Sequence, residues 1–510
     1  MGCKIMIVDQ FIDIAVKRGE LAESDRVYVT NRLLDLLGWS EKRAVAVDVA
    51  ADRLAMLDQL TELAVESGVI GEALAEREIW QSKVMDLFVP RPSELNAEFW
   101  ELYKRSPRAA TDYFYEISKA SDYIKTRSIA KNIEYLVETA YGKLEMTINL
   151  SKPEKDPKQI ALEKTVKTVA YPLCALCVEN EGYAGRVDFP ARTNHRIVGL
   201  QVGDEAWGLQ YSPYAYYDEH CIFLSTEHRP MVIERETFAR LVAITAQFPE
   251  YFVGSNADLP IVGGSILSHD HYQGGRHTFA MAKAPVHKDF PTYSWGAFPG
   301  VTVEIVKWPM SVIRLRAASA TDIVAAADEI LQKWKGYSDA SVGILAYSKE
   351  ERHNTVTPIA SRCAVDGESL FELALVLRNN RRTAEHPDGL FHPHQALHHI
   401  KKENIGLIEV MGLAVLPPRL KPELEEVARY LLDQPNAMAD HHKEWADRLK
   451  RDGGFDASSV TEFLQQEVGK VFEQVLTDAG VFKDTADGIR AFDRFMKSVM
   501  ETEEIENEAK

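Results

Sequence analysis

The sequence predicts an α+β protein in which two related half-domains lie between helical ends. Three observations support this class. Patterns of buried strands occupy the middle of the chain, amphipathic helix patterns occupy both ends, and a strand–helix–strand order occurs twice between them. A chain of 510 residues is also long enough for two or three structural units.

Residues 1–150 are predicted to form a helical N-terminal region. Within residues 23–39 (ESDRVYVTNRLLDLLGW), apolar residues recur near helical spacing behind Ser24, a residue type that caps helix N-termini. No catalytic signature occurs in this region, so we interpret it as an accessory structure.

The apolar segment and the Pro- and Lys-rich loop over residues 147–160 mark a boundary. The loop contains Lys152, Lys155 and Lys158, and the sequence alone favours a solvated linker for them. Residues 151–290 are predicted to form the first half-domain, with strands over 219–228 and 261–275 and a helix between them.

Residues 291–420 are predicted to form the second half-domain. Its pattern gives a strand at 309–319, a helix from 321 to 336, and strands at 341–348 and 371–380. Residues 421–510 return to charged amphipathic helix and end in an acidic tail.

Composition excludes several classes of function. The formal net charge of −18 argues against broad binding to nucleic acid, whose phosphates select basic surfaces. No apolar run reaches the roughly 20 residues of a membrane span, and the first residues lack a secretory pattern. Five cysteines are too few for a disulfide framework. We therefore expect a cytoplasmic protein.

A row of polar side chains is the most informative pattern. Alternate residues of a strand point to one face, so His269, His271 and Gln273 are expected to share a face. Burying three polar side chains in a row is costly unless each has a partner. The row therefore indicates a site, and the alternative is a set of ordinary histidines among the 15 of the chain.

Cys174 and Cys177 form a C-x2-C pair, and His228 and His269 follow at long intervals. Zinc prefers four tetrahedral Cys and His ligands, and one chain turn can supply two thiolates. These four residues are therefore candidate ligands of a structural zinc ion. The alternative is a pair of buried, reduced cysteines in a turn.

At these residues the sequence resembles the galactose-1-phosphate uridylyltransferases of the histidine-triad superfamily, and more narrowly their second bacterial class. The resemblance covers roughly residues 125–420 and rests on four segments: YPLCALCVENEGYAGR, SPYAYYDEHCIFLSTEHRPM, GGSILSHDHYQGGRH and KKENIGLIEVMGLAVLPPRL. It implies two histidine-triad-like half-domains with antiparallel sheets and packed helices.

The resemblance also implies a site. His271 would be the nucleophile, Gln273 would donate to the α-phosphoryl oxygens, and the two cysteines with His228 and His269 would hold zinc. The family's second metal is not predicted, because the strand FELALVLRNN has leucine where histidine would be needed. His392 and His394 are candidate substitutes for those ligands, and the alternative is a pair of ordinary loop histidines. Candidate substrate-binding residues are Lys152, Lys155, Lys158, Asn256, Lys402, Asn404 and Glu409.

The predicted activity is uridylyl transfer from UDP-glucose to galactose 1-phosphate through a covalent uridylyl-histidine, with no organic cofactor. The expected partners are the UDP-hexose and hexose 1-phosphate substrates, and a homodimer is compatible with the resemblance. Three alternatives stay open: another histidine-triad transferase that acts on a different sugar nucleotide, a histidine-triad hydrolase, and a non-catalytic binding module stabilised by zinc.

Overall fold

The computed structural model describes residues 3–47, 52–151, 169–264 and 266–501. Lys152, Lys155 and Lys158, predicted to bind substrate, lie outside the described residues, and so does the acidic end of the chain. The strands are β1 (Cys3–Met6), β2 (Ala44–Val47), β3 (Ile133–Thr139), β4 (Gly142–Ile148), β5 (Val198–Val202), β6 (Glu205–Tyr211), β7 (Cys221–Ser225), β8 (Phe252–Gly254), β9 (His271–Gly275), β10 (Thr302–Ile305), β11 (Val312–Ala317), β12 (Tyr347–Ser348), β13 (Glu351–Arg352), β14 (Asn354–Val365), β15 (Glu368–Asn379) and β16 (Leu413–Leu416).

The helices occupy both ends of the chain and the crossings between strands. They are α1 (Ile7–Lys17), α2 (Arg26–Leu36), α3 (Arg53–Glu66), α4 (Leu74–Asp86), α5 (Pro92–Tyr103), α6 (Pro107–Ala120), α7 (Thr126–Ile129), α8 (Arg235–Gln247), α9 (Ala280–Lys283), α10 (Ala320–Gly336), α11 (Leu407–Val410), α12 (Leu420–Leu431), α13 (Lys443–Asp452), α14 (Val460–Ala479) and α15 (Ala486–Met500).

The centre of the structure is a nine-stranded sheet with the order β10-β11-β15-β14-β8-β9-β7-β6-β5. Every neighbouring pair in this sheet is antiparallel. The α+β prediction with antiparallel sheets is therefore confirmed. The two expected half-domain sheets join into one, because β8 pairs with β14 at Gly254↔Ile359 and Val253↔Ala360.

Helices α8 and α10 cover one face of this sheet. Apolar residues on one side of each helix, such as Phe238 and Leu241 on α8 and Ile330 and Trp334 on α10, enter a buried core with the sheet. This is the helix face that the 3.6-residue period predicts. The order β7, α8, β9 agrees with the predicted strand–helix–strand order, with the short β8 inserted after the helix.

The second half of the sheet differs from prediction at two places. Residues 341–348 were expected to be a strand, but Ala340–Val342 form a 3-10 turn and only Tyr347–Ser348 are extended. The Asp339 side chain accepts from the Ser341 backbone N–H at 3.0 Å, which stabilises the turn. Conversely, β14 was not predicted, because Pro358 and several polar residues interrupt its apolar pattern.

The ends of the chain form further layers. Helices α1 to α4 enclose a separate apolar core that includes Phe11, Leu33 and Trp80. Ser24 does not cap α2, since its hydroxyl bonds the Asp25 side chain and Glu23–Asp25 form a 3-10 turn. The region 1–150, expected to be helical, also contains β1 to β4, and β4 pairs in parallel with β16. The proposed domain limits stay a prediction.

Candidate active site

Strand β9, near the middle of the large sheet, carries His271 and Gln273, two of the three residues of the predicted polar row. The strand begins at His271, so His269 and Asp270 precede it rather than extending it. His271 and Gln273 lie on one face, and Tyr272 lies on the other, where its ring stacks on Trp207 with centroids 4.9 Å apart. The apolar face of this short strand therefore anchors it in the core while the opposite face presents the two polar side chains.

The His271 ring is held in one orientation. Its Nδ1 lies 2.7 Å from the backbone oxygen of His269. A carbonyl oxygen can only accept, so Nδ1 carries the proton and Nε2 keeps its lone pair. No hydrogen-bond partner of Nε2 occurs among the described residues, and burial lowers the pKa of His271 to about 4. The arrangement presents a neutral imidazole with a free nitrogen.

Gln273 is positioned by a residue that the sequence analysis did not select. The Nε2 atom of His220 lies 3.0 Å from Oε1 of Gln273. His220 is buried immediately before β7, between the rings of Tyr216 and Tyr217. The antiparallel register places Gln273 opposite Ile222, close to His220. The sequence by itself gives no signal for His220, because its contact with Gln273 depends on the pairing of β7 with β9.

A cleft of about 430 Å³ lies beside Gln273, and we call it the Gln273 cleft. Its lining includes four of the residues selected from the sequence, namely Gln273, Asn256, Asn404 and Glu409. It also includes Tyr216, Gly263, Gly264, Lys401, Glu403, Gly406, Leu407, Ile408 and Val415. His271 lies two residues from Gln273 on the same strand face and is 7% exposed. The structure therefore brings residues from distant parts of the sequence to one opening.

Asn256 joins the two walls of the Gln273 cleft. Its Oδ1 accepts from the backbone N–H of Leu407 at 2.8 Å. A Cβ atom on Gly264 would lie 2.6 Å from Nδ2 of Asn256, so any larger residue would have to displace the Asn256 side chain. Glycine at position 264 therefore allows close approach of the Asn256 amide.

The lysine at the cleft is Lys401 and not the predicted Lys402. Lys401 is buried, and its Nζ lies 2.6 Å from Oε1 of Glu409. Burial opposes charge on Lys401, but the carboxylates of Glu409 and Glu403 together outweigh burial and raise the pKa of the lysine. Lys402 is exposed and does not line the cleft. Because the two lysines are adjacent and identical, the sequence alone does not indicate which of them lies at the cleft.

Cys174, Cys177, His228 and His269 come together in a group that we call the Cys/His cluster. Their ligand atoms all lie within 4.8 Å of one another. The Sγ atom of Cys174 lies 3.3 Å from Nδ1 of His269, and Sγ of Cys177 lies 3.2 Å from Nδ1 of His228. The two sulfur atoms are 3.5 Å apart.

The Cys/His cluster has the dimensions and the orientation of a metal site. Tetrahedral zinc with ordinary bond lengths would separate its sulfur and nitrogen ligands by about 3.5–3.8 Å. In addition, Nε2 of His269 lies 2.9 Å from the Ser225 backbone oxygen, which fixes the proton there and leaves Nδ1 free for a metal. These four residues form a candidate metal-binding cluster next to His271.

No second cluster occurs at the strand where the family's other metal was considered. That segment is part of β15, and Leu373 and Leu375 are fully buried in it. His392 lies 3.2 Å from Asn404 Oδ1 through its Nε2 atom, and His394 is paired with Asp478. Among the described residues, neither histidine belongs to a group of metal-ligating side chains.

Family models match most of the chain. Residues 19–230 match the model described as galactose-1-phosphate uridyl transferase, N-terminal domain, and residues 244–447 match the corresponding C-terminal domain. The chain belongs to the galactose-1-phosphate uridylyltransferase family. The predicted family is thus confirmed, and the chain is a nucleotidyltransferase.

Full-length relatives agree with the family models. Galactose-1-phosphate uridylyltransferase from Ligilactobacillus salivarius is 52% identical over 97% of this chain and 98% of its own length. The enzyme from Enterococcus faecalis is 53% identical over 96% and 97% of the two chains. Galactose-1-phosphate uridylyltransferase 1 from Streptococcus pneumoniae is 53% identical over 97% and 99%.

Among solved structures, the crystal structure of yeast Ap4A phosphorylase Apa2 covers 77% of this chain and 98% of its own, with 10% identity and a TM-score of 0.37. No helix in the described part of the chain is long and apolar enough to cross a membrane.

Proposed function

We propose that this uridylyltransferase moves a uridylyl group from UDP-glucose to galactose 1-phosphate through a covalent intermediate on His271. The observation that carries the proposal is the state of the His271 ring. Its Nδ1 proton is held by the His269 backbone oxygen, and its Nε2 lone pair has no partner among the described residues. A neutral, oriented imidazole is a competent nucleophile toward phosphorus.

In the first step, Nε2 of His271 forms a bond to the α-phosphorus of UDP-glucose. The bond between that phosphorus and the bridging oxygen breaks, and glucose 1-phosphate leaves with the electron pair. A sugar phosphate is a stable anion, so no strong general acid is required. The Nδ1–H bond to the His269 carbonyl stabilises the positive charge that develops on the ring.

In the second step, a phosphate oxygen of galactose 1-phosphate attacks the same phosphorus, and the bond to Nε2 breaks to give UDP-galactose. Gln273 stands two residues along the same face, where the amide N–H groups can stabilise charge on the phosphoryl oxygens. Its Oε1 is taken by His220, which leaves the NH₂ group for that purpose. Donors placed where charge develops are typically worth about 3 kcal/mol.

The residues around the Gln273 cleft support a sugar-phosphate or nucleotide site. Asn256, Asn404 and Glu409 supply polar groups, and Lys401 supplies a buried positive charge. We propose Asn256, Asn404 and Glu409 as substrate-binding residues and add Lys401 to them. Lys152, Lys155 and Lys158 stay proposed diphosphate contacts. Lys402 stays a proposed substrate contact, and its exposed side chain lies outside the cleft.

We also propose that the metal of the Cys/His cluster is zinc. Two thiols and two imidazole nitrogens are the donors that a closed tetrahedral zinc site uses. Bound there, the ion would be structural and would hold His269, whose backbone oxygen in turn orients His271. A cytoplasmic location and a homodimer stay proposals.

The test is to mix the protein with UDP-glucose labelled in the uridine, quench in base within milliseconds, and map the label by proteolysis. We expect acid-labile, base-stable label on the peptide that contains His271, and release of the label as UDP-galactose when galactose 1-phosphate is added. His271→Ala should give no label, and His398→Gln should behave as wild type. Label elsewhere, or rapid loss of the label to water without sugar phosphate, would contradict the transferase mechanism.

A further inference from the structure

A second group of metal-ligating side chains lies in the C-terminal helical extension. Glu423 is on α12, and His441 and His442 are consecutive residues of the 3-10 turn Asp440–His442 that leads into α13. One ligand atom from each of the three lies within 4.8 Å of the others. His442 is fully buried, while the His441 side chain is 48% exposed. The group is thus open on one side.

The separations between these atoms suit a common ion. The Nε2 atoms of His442 and His441 lie 2.9 Å and 3.5 Å from the same carboxylate oxygen, Oε2 of Glu423. Ligands at ordinary zinc–nitrogen and zinc–oxygen bond lengths would be about 3.3 Å apart around a tetrahedral ion. The turn therefore brings two imidazoles and one carboxylate to the spacing of metal ligands without rearrangement of the backbone.

Hydrogen bonding within the group does not satisfy its buried atoms. With Nε2 of His442 bonded to Glu423, the Nδ1 atom of the same ring has no partner among the described residues. His399 packs edge-on against His442, with ring centroids 5.6 Å apart, and its buried Nε2 also has no partner in the part of the chain that the structure describes. Buried polar atoms are rarely left without partners. The group is therefore not explained as a closed hydrogen-bonded network.

Arg419 fixes the carboxylate from the other side. Its Nη1 lies 2.6 Å from Oε2 of Glu423, and its guanidinium also donates to the backbone oxygens of His398 and His399. Oε2 is thus the oxygen that Arg419 and both histidines approach, and a carboxylate oxygen has two lone pairs, one for the guanidinium and one for an ion. Groups that orient a ligand carboxylate in this way are common around metal ions.

We propose that Glu423, His441 and His442 bind a divalent cation of the zinc class, separate from the Cys/His cluster. Two imidazole nitrogens and one carboxylate oxygen match the preference of zinc, and the exposed side leaves a position for water. The ion would bind the Glu423 carboxylate, which accepts a hydrogen bond from Arg419. Arg419 in turn donates to the backbone oxygens of residues 398 and 399. Lys401, which lines the Gln273 cleft, follows His399 by two residues. The ion would therefore restrain the backbone that positions Lys401 in the cleft.

The test is the metal content of the full chain, purified without a histidine tag, incubated with zinc chloride and desalted. Mass spectrometry of the metal should give about two zinc ions per wild-type chain, one at each site. His441→Gln should lower the content by about one ion, and this half-exposed position keeps the core intact. Cys174→Ser should keep the ion at the C-terminal group.

The matched control is His398→Gln, which replaces a neighbouring histidine outside the group and should keep both ions. Cobalt loaded into the double variant Cys174→Ser/Cys177→Ser, which has no thiol in the Cys/His cluster, should bind without a thiolate charge-transfer band, because the proposed ligands contain no sulfur. Glu423→Gln provides a second variant, checked for folding by circular dichroism, and should lose the same ion. One zinc ion per wild-type chain, unchanged in His441→Gln and Glu423→Gln, would overturn the proposal.

Discussion

Nε2 of His220, the residue just before β7, lies 3.0 Å from Oε1 of Gln273 on the neighbouring strand β9. An amide oxygen only accepts hydrogen bonds, so His220 with a protonated Nε2 determines which end of the amide faces the cleft. The stacked ring of Tyr216, itself part of the cleft lining, keeps His220 in place. His220, which does not contact substrate in the proposed mechanism, thereby orients the Gln273 amide, which does.

Replacing His220 with Phe is expected to lower kcat about tenfold, because losing one positioning hydrogen bond is worth about 1.4 kcal/mol. The KM for UDP-glucose should change little. His220→Gln, which keeps a donor, should recover much of the rate. Steady-state kinetics on the two variants and on Gln273→Ala provide the check. If His220→Phe slows the Gln273→Ala enzyme as strongly as wild type, the histidine does not act through Gln273.

Acidification is expected to destabilise the protein partly through His220. Burial lowers the pKa of His220 to about 4 in the folded state, below the ordinary value of 6.5. Between these values the unfolded chain binds the proton and the folded chain does not, so stability is full above pH 6.5 and falls toward pH 4. At pH 5 the loss is about 2 kcal/mol for this one group. Urea unfolding of wild type and His220→Gln at pH 7 and pH 5 should show a smaller loss in the variant.

Lys401 and Lys402 form a matched pair for mutation. Lys401→Met is expected to lower the free energy of unfolding by about 3 kcal/mol, because Glu409 would remain buried without its partner. The same change should raise the KM for a sugar phosphate, since a positive charge leaves the cleft. Lys402→Met should leave both quantities near wild type, because its side chain is exposed. Equal effects of the two substitutions would argue against Lys401 as the cleft lysine.

Removing the metal of the Cys/His cluster should affect stability and rate together. Cys174→Ser is expected to lose one zinc ion and about 2 kcal/mol or more of unfolding free energy. Its kcat should also fall, because His269 positions the His271 ring through its backbone oxygen. Cys363→Ser, at a half-buried thiol outside the cluster, serves as control. Metal analysis, thermal unfolding and kinetics on both variants give the comparison.

The sequence predicted the parts of the site that depend on local spacing. Cys174 and Cys177 sit three residues apart on one turn, and His271 and Gln273 alternate on one strand, so their relation follows from backbone geometry alone. The strand–helix–strand order around α8 was also predicted, and so were β11 and α10, because apolar periodicity determines which face each helix buries.

The remaining parts depend on contacts between distant segments. His220 meets Gln273 only because β7 pairs with β9, and Asn256 meets Leu407 across 151 positions of the sequence. The choice of Lys401 over Lys402 depends on which side chain the Glu409 carboxylate meets. Strand pairing and long-range packing of this kind leave no periodic signal in a single sequence.

The join between the two halves of the sheet has a consequence for how the chain can be divided. Gly254 of β8 pairs with Ile359 of β14 on one side and with Gln273 of β9 on the other. The join between the two halves, at β8 and β14, is therefore directly beside the strand that carries His271. If the protein were divided between the two halves, each fragment would expose an unpaired strand edge. Such edges tend to pair with strands of other molecules. Separately made fragments would therefore be active only after β8 and β14 had paired again. This makes the protein poorly suited to splitting, because its two halves function as one structural unit.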